Sequence, residues 1–201
     1  MKLYVISDTH IQKRYSHLDL AKFAKEAEVD YFQYREKFFD YSIHYQELLD
    51  IRETLRGSKT QLIINDNLEL ALKVHADGVH VGQEDISLQK IFERALPSGF
   101  IVGATVHNVK ELQEAEKFPV HYIGVGPVFG TNSKKMQIPA LGIEGLKNIK
   151  SRTSLPIYAI GNIQIFNYRE VISLGIEGIV LLSAFVLSEN PVNALKQFRN
   201  I

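Results

Sequence analysis

The chain has 201 residues, 45% apolar and 23% charged, enough for one globular core and too few for two ordinary domains. Lys plus Arg and Asp plus Glu balance at 23 each, so no global field draws it to nucleic acid or an anionic membrane, and any anion site must be local. The absence of cysteine excludes disulfides and thiolate metal centres.

The opening MKLYVISDTH turns polar after six residues, unlike a signal peptide or a membrane span, so a soluble cytoplasmic protein is expected. Its apolar run LYVIS (3–7) is the first of eight. The others are YFQYR (31–35), LIIN (62–65), GVHV (78–81), FIVGATV (100–106), HYIGVG (121–126), PIYAIG (156–161) and GIVLLS (178–183). Between them, apolar residues recur at helical spacing over 17–28, 40–56, 108–117 and 164–174, and a further helix is expected over 67–74. Strands apolar nearly throughout and alternating with helices imply a parallel sheet covered on both faces. Eight such units predict a (β/α)₈ barrel, a TIM barrel, formed by one domain over 1–201 and compact for that fold. A doubly wound sheet is the competitor. Polar residues at the carboxyl ends of nearly all the runs favour the barrel, where those ends converge on one mouth.

The second run leads into Gln33, Arg35 and Lys37, which strand alternation would point to one side. The third ends at Asn65-Asp66 and the fourth at Gly82-Gln83-Glu84-Asp85. Asp66 and Asp85 each read either as a helix N-cap or as a cation ligand; as a pair from adjacent strands they suit Mg²⁺, which binds through one or two carboxylates plus substrate phosphates. The fifth run offers the Thr105 hydroxyl, with His107 read as structural. His80, inside the fourth run, reads as a packed core residue, and Tyr31, Phe32, Phe38 and Phe39 as packing. Past the sixth run, GVGPVFGTNSKKMQIPALG (124–142) is the longest irregular stretch; its small polar residues beside lysine suit phosphate and its length suits a lid. The seventh and eighth runs end near Gly161-Asn162 and Leu182-Ser183, where barrels often bind phosphate, and Gly161 lets a ligand approach the backbone.

In this order and at these spacings, QYREK (33–37), IINDNLELAL (63–72), ADGVHVGQED (76–85), GATVH (103–107), GVGPVFGTNSKK (124–135), PIYAIGN (156–162) and GIEGIVLLSA (175–184) resemble thiamine-phosphate synthases. The likeness runs from about residue 3 to 187. It implies a transferase that joins hydroxymethylpyrimidine diphosphate to thiazole phosphate and releases pyrophosphate. By the same resemblance, Asp66 and Asp85 hold Mg²⁺. Gln33, Arg35, Lys37, Asn65, Thr105 and Lys134 bind the pyrimidine diphosphate. Thr131, Asn132, Ser133, Asn162, Leu182 and Ser183 hold the thiazole phosphate. The reaction it implies is dissociative, the pyrophosphate leaving before the thiazole nitrogen attacks.

Three positions depart from the family pattern: Thr105 stands for serine, Ser133 for threonine, and Asn162 for the second glycine of a Gly-Gly pair. A related branch of the same barrel looks like a thiazole tautomerase. It tends to lose the basic segment and the paired aspartates and to carry histidine where this chain has Pro127. A non-catalytic regulatory paralogue is the other alternative. The expected partners are the two small-molecule substrates, with no nucleic acid and no membrane, and a homo-oligomer is left open.

Overall fold

The computed structural model describes residues 1–38, 40–130 and 139–199, with only the backbone of 41–43. Eight strands follow one another in the chain: β1 (Lys2–Ser7), β2 (Tyr31–Tyr34), β3 (Gln61–Asn65), β4 (Gly78–Val81), β5 (Ile101–Val106), β6 (Tyr122–Val125), β7 (Ile157–Ala159) and β8 (Gly178–Leu181). Each is hydrogen-bonded in parallel to the next, and β8 closes on β1 through pairs such as Tyr4–Val180. The chain forms the (β/α)₈ barrel expected from its eight apolar runs.

The helices are α1 (His17–Glu26), α2 (Tyr41–Leu55), α3 (Leu68–Lys73), α4 (Leu88–Phe92), α5 (Val109–Ala115), α6 (Gly142–Lys150), α7 (Tyr168–Ile172), α8 (Ser183–Val186) and α9 (Pro191–Gln197). Of the five segments expected, those of α1, α2, α3 and α5 match within a residue or two; α4, α6, α8 and α9 had no expected segment. The largest difference is α7, expected from 164 and observed from Tyr168. Asn167 Oδ1 accepts the Gln164 N–H, and its Nδ2 donates to the Asn162 carbonyl, so the stretch before α7 is tied into a turn.

The N-cap readings of Asp66 and Asp85 are corrected. Asn67 caps α3 by accepting the Leu70 N–H, and Ser87 caps α4 by accepting the Lys90 N–H. Both carboxylates are thereby released from capping.

Period-two alternation divides each strand between two cores. Outward residues such as Leu3, Val5, Phe32, Leu62, Ile64, Val79, Val102, Ile123 and Ile179 are fully or nearly fully buried beneath the helices. Burying each aliphatic side chain of this size contributes about 1.5–3 kcal/mol, which makes this layer the main support of the fold. Inward residues fill the barrel: Tyr4, Ile6, Ile63, Ile101, Tyr122, Tyr158 and Val180, with Tyr31, Ile160 and Leu182 beside them. Four tyrosines, Tyr4, Tyr31, Tyr122 and Tyr158, meet there with ring centroids 5.2–5.9 Å apart. Of these, Tyr4 and Tyr122 line the pocket at the barrel mouth. Among the described residues, no helix is long and apolar enough to cross a membrane.

Candidate active site

The carboxyl ends of the strands converge on one pocket of about 1200 Å³, counting the part open to solvent. Its lining includes Gln33, Arg35, Asn65, Thr105, Gly161, Asn162, Leu182 and Ser183, eight residues singled out from the sequence. Alternation on β2 carries Gln33 inward, and Arg35 follows it to the same side. Gln33 is 2% exposed and donates from Nε2 to the Tyr4 hydroxyl at 2.6 Å. Arg35 forms an ion pair with Asp8, which follows β1; the Asp8 carboxylate also accepts the His10 N–H at 2.9 Å. This partly buried pair holds the guanidinium over the pocket without quenching all five of its donors.

Alternation does not carry to Lys37. Because β2 ends at Tyr34, Lys37 lies in an adjoining cleft with Tyr34, Glu36, Asn65, Asp66 and Leu68. Asn65 lines both spaces, so cleft and pocket adjoin at it. Asp66 leaves β3 with φ +62°, in the left-handed region that Asp tolerates better than most residues. Its N–H still donates to the His80 carbonyl at 2.8 Å, so the kink starts at a fixed point of the sheet. The Asp66 carboxyl meets Asp85, and Asp85 Oδ2 accepts the Gly82 N–H at 2.8 Å.

Desolvation and the Asp85 carboxylate push Asp66 up to about 7, against the pull of Arg35 and Asn65. Two carboxylates forced together in this way offer hard oxygen donors whose repulsion a divalent cation would relieve. Among the described residues, no group of three or more His, Cys, Asp or Glu could hold a metal ion. A cation here would take its remaining ligands from water and a bound phosphate.

On the opposite wall, Gly161 adopts φ +113°, and a Cβ there would lie 2.6 Å from Pro127 Cα. Conformation and packing both require glycine at that position. Asn162 adopts φ +48°, so the expected glycine-like backbone persists despite the substitution. Thr131, Asn132, Ser133 and Lys134, and with them the lid expected over that loop, lie outside the described residues. So does Phe39. Phe38, read as packing, is 75% exposed. His107 lines the pocket but is held by Glu111, which accepts both its backbone N–H and Nδ1 at 2.8 Å.

Tyr4, Asp8, Tyr122 and the inward face of His80 also line the pocket, and none of them was expected there from the sequence. His80 turns inward, stacks on Tyr122 at 5.5 Å between ring centroids and hydrogen-bonds Thr105 Oγ1. Glu36, likewise not expected, joins the loops after β1 and β2 through its carboxylate, which meets Thr9 and His10. Burial opposes ionisation of Glu36, but the Phe38 N–H, His10 and His17 overcome it and hold the carboxyl at about 2. Ser-Asp-Thr-His after the first apolar run was the available signal: it matches the polar ends of the other strands.

Residues 3–185 match the family model described as thiamine monophosphate synthase. A thiamine-phosphate synthase of Methanocella arvoryzae is 36% identical over 199 residues, covering 99% of this chain and 93% of that one. One from Chloroflexus aurantiacus is 35% identical over 198 residues, covering 98% and 91%. The solved thiamine phosphate pyrophosphorylase from Pyrococcus furiosus superimposes with a TM-score of 0.88 at 32% identity, covering 98% of this chain and 93% of that one. The chain is a (β/α)₈ barrel with a polar pocket at its mouth, and it belongs to the thiamine monophosphate synthase family.

Proposed function

We propose that this chain couples hydroxymethylpyrimidine diphosphate to thiazole phosphate, forming thiamine phosphate and releasing pyrophosphate. The observation that carries this reading is the junction at Asn65, where a pocket lined by Gln33, Arg35 and Thr105 meets a cleft holding Lys37 and Asp66 beside Asp85. A diphosphate spanning the junction would meet cations from the β2 end and a cation site on the two aspartates.

In this reading Asp66 and Asp85 hold Mg²⁺, which supplies charge neutralisation at the diphosphate. Arg35 and Lys37, with Lys134 from the loop after β6, donate to diphosphate oxygens as negative charge builds on them. Gln33 and Asn65 orient the pyrimidine half. With the departing charge stabilised, the C–O bond to pyrophosphate breaks first and the aminopyrimidine supports the methylene cation. The thiazole nitrogen then attacks that carbon. No protein nucleophile is required. Thr131, Asn132, Ser133, Gly161, Asn162, Leu182 and Ser183 are assigned to the thiazole phosphate. The whole chain, 1–201, is taken as one domain acting in the cytoplasm on small-molecule substrates.

The test is to mix the protein with Mg²⁺ and both phosphorylated precursors and measure thiamine phosphate and pyrophosphate. Equimolar formation of the two is expected. Thiazole isomerisation without coupling would overturn the reading in favour of a tautomerase, and binding without turnover in favour of a regulatory paralogue.

A further inference from the structure

A line of hydrogen bonds crosses the barrel under the pocket. Gln33 Nε2 donates to Tyr4 Oη at 2.6 Å, and Tyr4 Oη lies 2.9 Å from Tyr122 Oη. Tyr122 Oη lies 3.0 Å from His80 Nδ1, and His80 Nε2 lies 2.9 Å from Thr105 Oγ1. The two ends, Gln33 and Thr105, are residues already assigned to the pyrimidine diphosphate. The three between them have no part in that assignment.

Two glycines clear the space for this line. A Cβ at Gly103 would lie 2.1 Å from Tyr122 Cζ, and a Cβ at Gly124 would lie 3.1 Å from His80 Cε1. The Tyr122 ring therefore lies across β5 only because residue 103 has no side chain, and the His80 ring fits closely over Gly124.

The proton order follows from donor and acceptor capacity. An amide nitrogen only donates, so Tyr4 Oη accepts from Gln33. The Tyr4 hydroxyl is buried, and among the described residues Tyr122 Oη is the acceptor its single proton can reach. Tyr122, having accepted, donates to His80 Nδ1. A neutral imidazole with a bare Nδ1 carries its proton on Nε2 and donates it to Thr105 Oγ1. The Thr105 proton is then free to face the pocket. In the reverse order Tyr4 would accept twice and bury its own proton without a partner. Burial raises the pKa of both phenols well above the usual tyrosine range, so both keep the protons this order needs.

We infer that Tyr4, Tyr122 and His80 are positioning residues that hold His80 as its Nε2–H tautomer and turn the Thr105 hydroxyl proton outward, to donate to an oxygen of the bound diphosphate. The ligand half of this inference rests on the synthase reading. The tautomer half does not.

The first measurement uses the free protein. Long-range ¹H–¹⁵N spectra, with the His80 signals assigned by their loss in His80→Gln, should show a protonated Nε2 and a bare Nδ1 at neutral pH. A protonated Nδ1 would overturn the relay, whatever the enzyme catalyses. The second measures binding of Mg²⁺-pyrophosphate by calorimetry. Tyr122→Phe, which keeps the ring, should weaken binding three- to tenfold, and Thr105→Val at least as much. Thr105→Ser should retain affinity. The Tyr122→Phe/Thr105→Val double variant should bind no worse than Thr105→Val, because both changes remove the same donor. Additive losses would overturn the connection through Thr105. Wild-type protein that couples the precursors but binds pyrophosphate independently of Thr105 would overturn the ligand half alone. Should Tyr122→Phe fail to fold, the wild-type tautomer still decides the relay.

Discussion

Asp8 and Arg35, 27 residues apart in the chain, form an ion pair at the pocket wall, with side-chain exposures of 4% and 14%. The pair fixes the direction of the guanidinium before any ligand arrives. Asp8→Asn keeps the shape and an acceptor for the His10 N–H but removes the charge. Removing one partner of a buried pair costs up to about 3–5 kcal/mol, and the partial exposure here calls for the lower end or less. The expected result is a roughly tenfold to hundredfold fall in kcat/KM, carried mostly by KM for the pyrimidine diphosphate. Steady-state kinetics beside a thermal melt would check it. An unchanged KM would mean that Arg35 is oriented by something else.

Asp66 and Lys37 line the same cleft, and both are assigned to the diphosphate end of the reaction. Asp66→Asn should cut coupling by at least about 100-fold and abolish its response to added Mg²⁺, as loss of a directed charge at a reacting group does. Lys37→Ala should lower kcat by a similar factor while leaving the melting temperature within a degree or two, since its side chain is exposed. Near-normal turnover in purified Lys37→Ala would remove it from the assignment.

Acid should loosen the loops that carry Asp8 and Arg35. His17 is pressed below its ordinary pKa by burial, with nearby carboxylates pulling the other way, so the unfolded chain binds a proton there that the native protein resists. Stability is then present above about pH 6.5 and declines as pH falls through that value. Glu36, held at about 2, adds stability above its unfolded value near 4.5, which is lost as pH falls towards 2. Asp66, raised to about 7, works the other way, its contribution growing as pH falls from 7 towards 3.8, so the melting curves are compared in an Asp66→Asn background, where a series from pH 8 to pH 3 should show a decline in two stages. His17→Phe should flatten the first, and Glu36→Gln the second.

Gly103→Ala tests the packing under the pocket. The new methyl would overlap the Tyr122 ring, which is enclosed by Tyr4 and Tyr158 and has nowhere to turn. Overpacking of this kind costs about 1–3 kcal/mol. Denaturant unfolding should show the loss, and binding of pyrophosphate should weaken in parallel as Tyr122 leaves His80. Wild-type stability would show that the ring has slack.

Much of the barrel was legible because its signal is repeated. Eight apolar runs and their polar ends each say little, but together they require a common mouth. Residues flanking strand ends, such as Arg35 and Asp66, were found because they interrupt an apolar pattern. His80 and Tyr122 escaped because they do not: each sits inside a strand where an aromatic ring reads as filler, and only the pairing of β4, β5 and β6 shows that their polar atoms meet. Asp8 escaped because its cation partner lies on another strand end. Lys37 was assigned to the wrong wall because alternation was extended past Tyr34, where the strand stops.

The left-handed backbone at residue 66 has a consequence for what the chain can tolerate there. Glycine and asparagine would accept the fold of the chain but bring no carboxylate; glutamate would bring a carboxylate but strain the turn and reach too far. Conformation and chemistry each admit a different short list of amino acids, and aspartate is where the lists overlap. Position 66 has no synonym: in a library covering all substitutions there, glycine and asparagine should melt nearest the parent, other residues should lose about 1–2 kcal/mol, and activity should be confined to the parent.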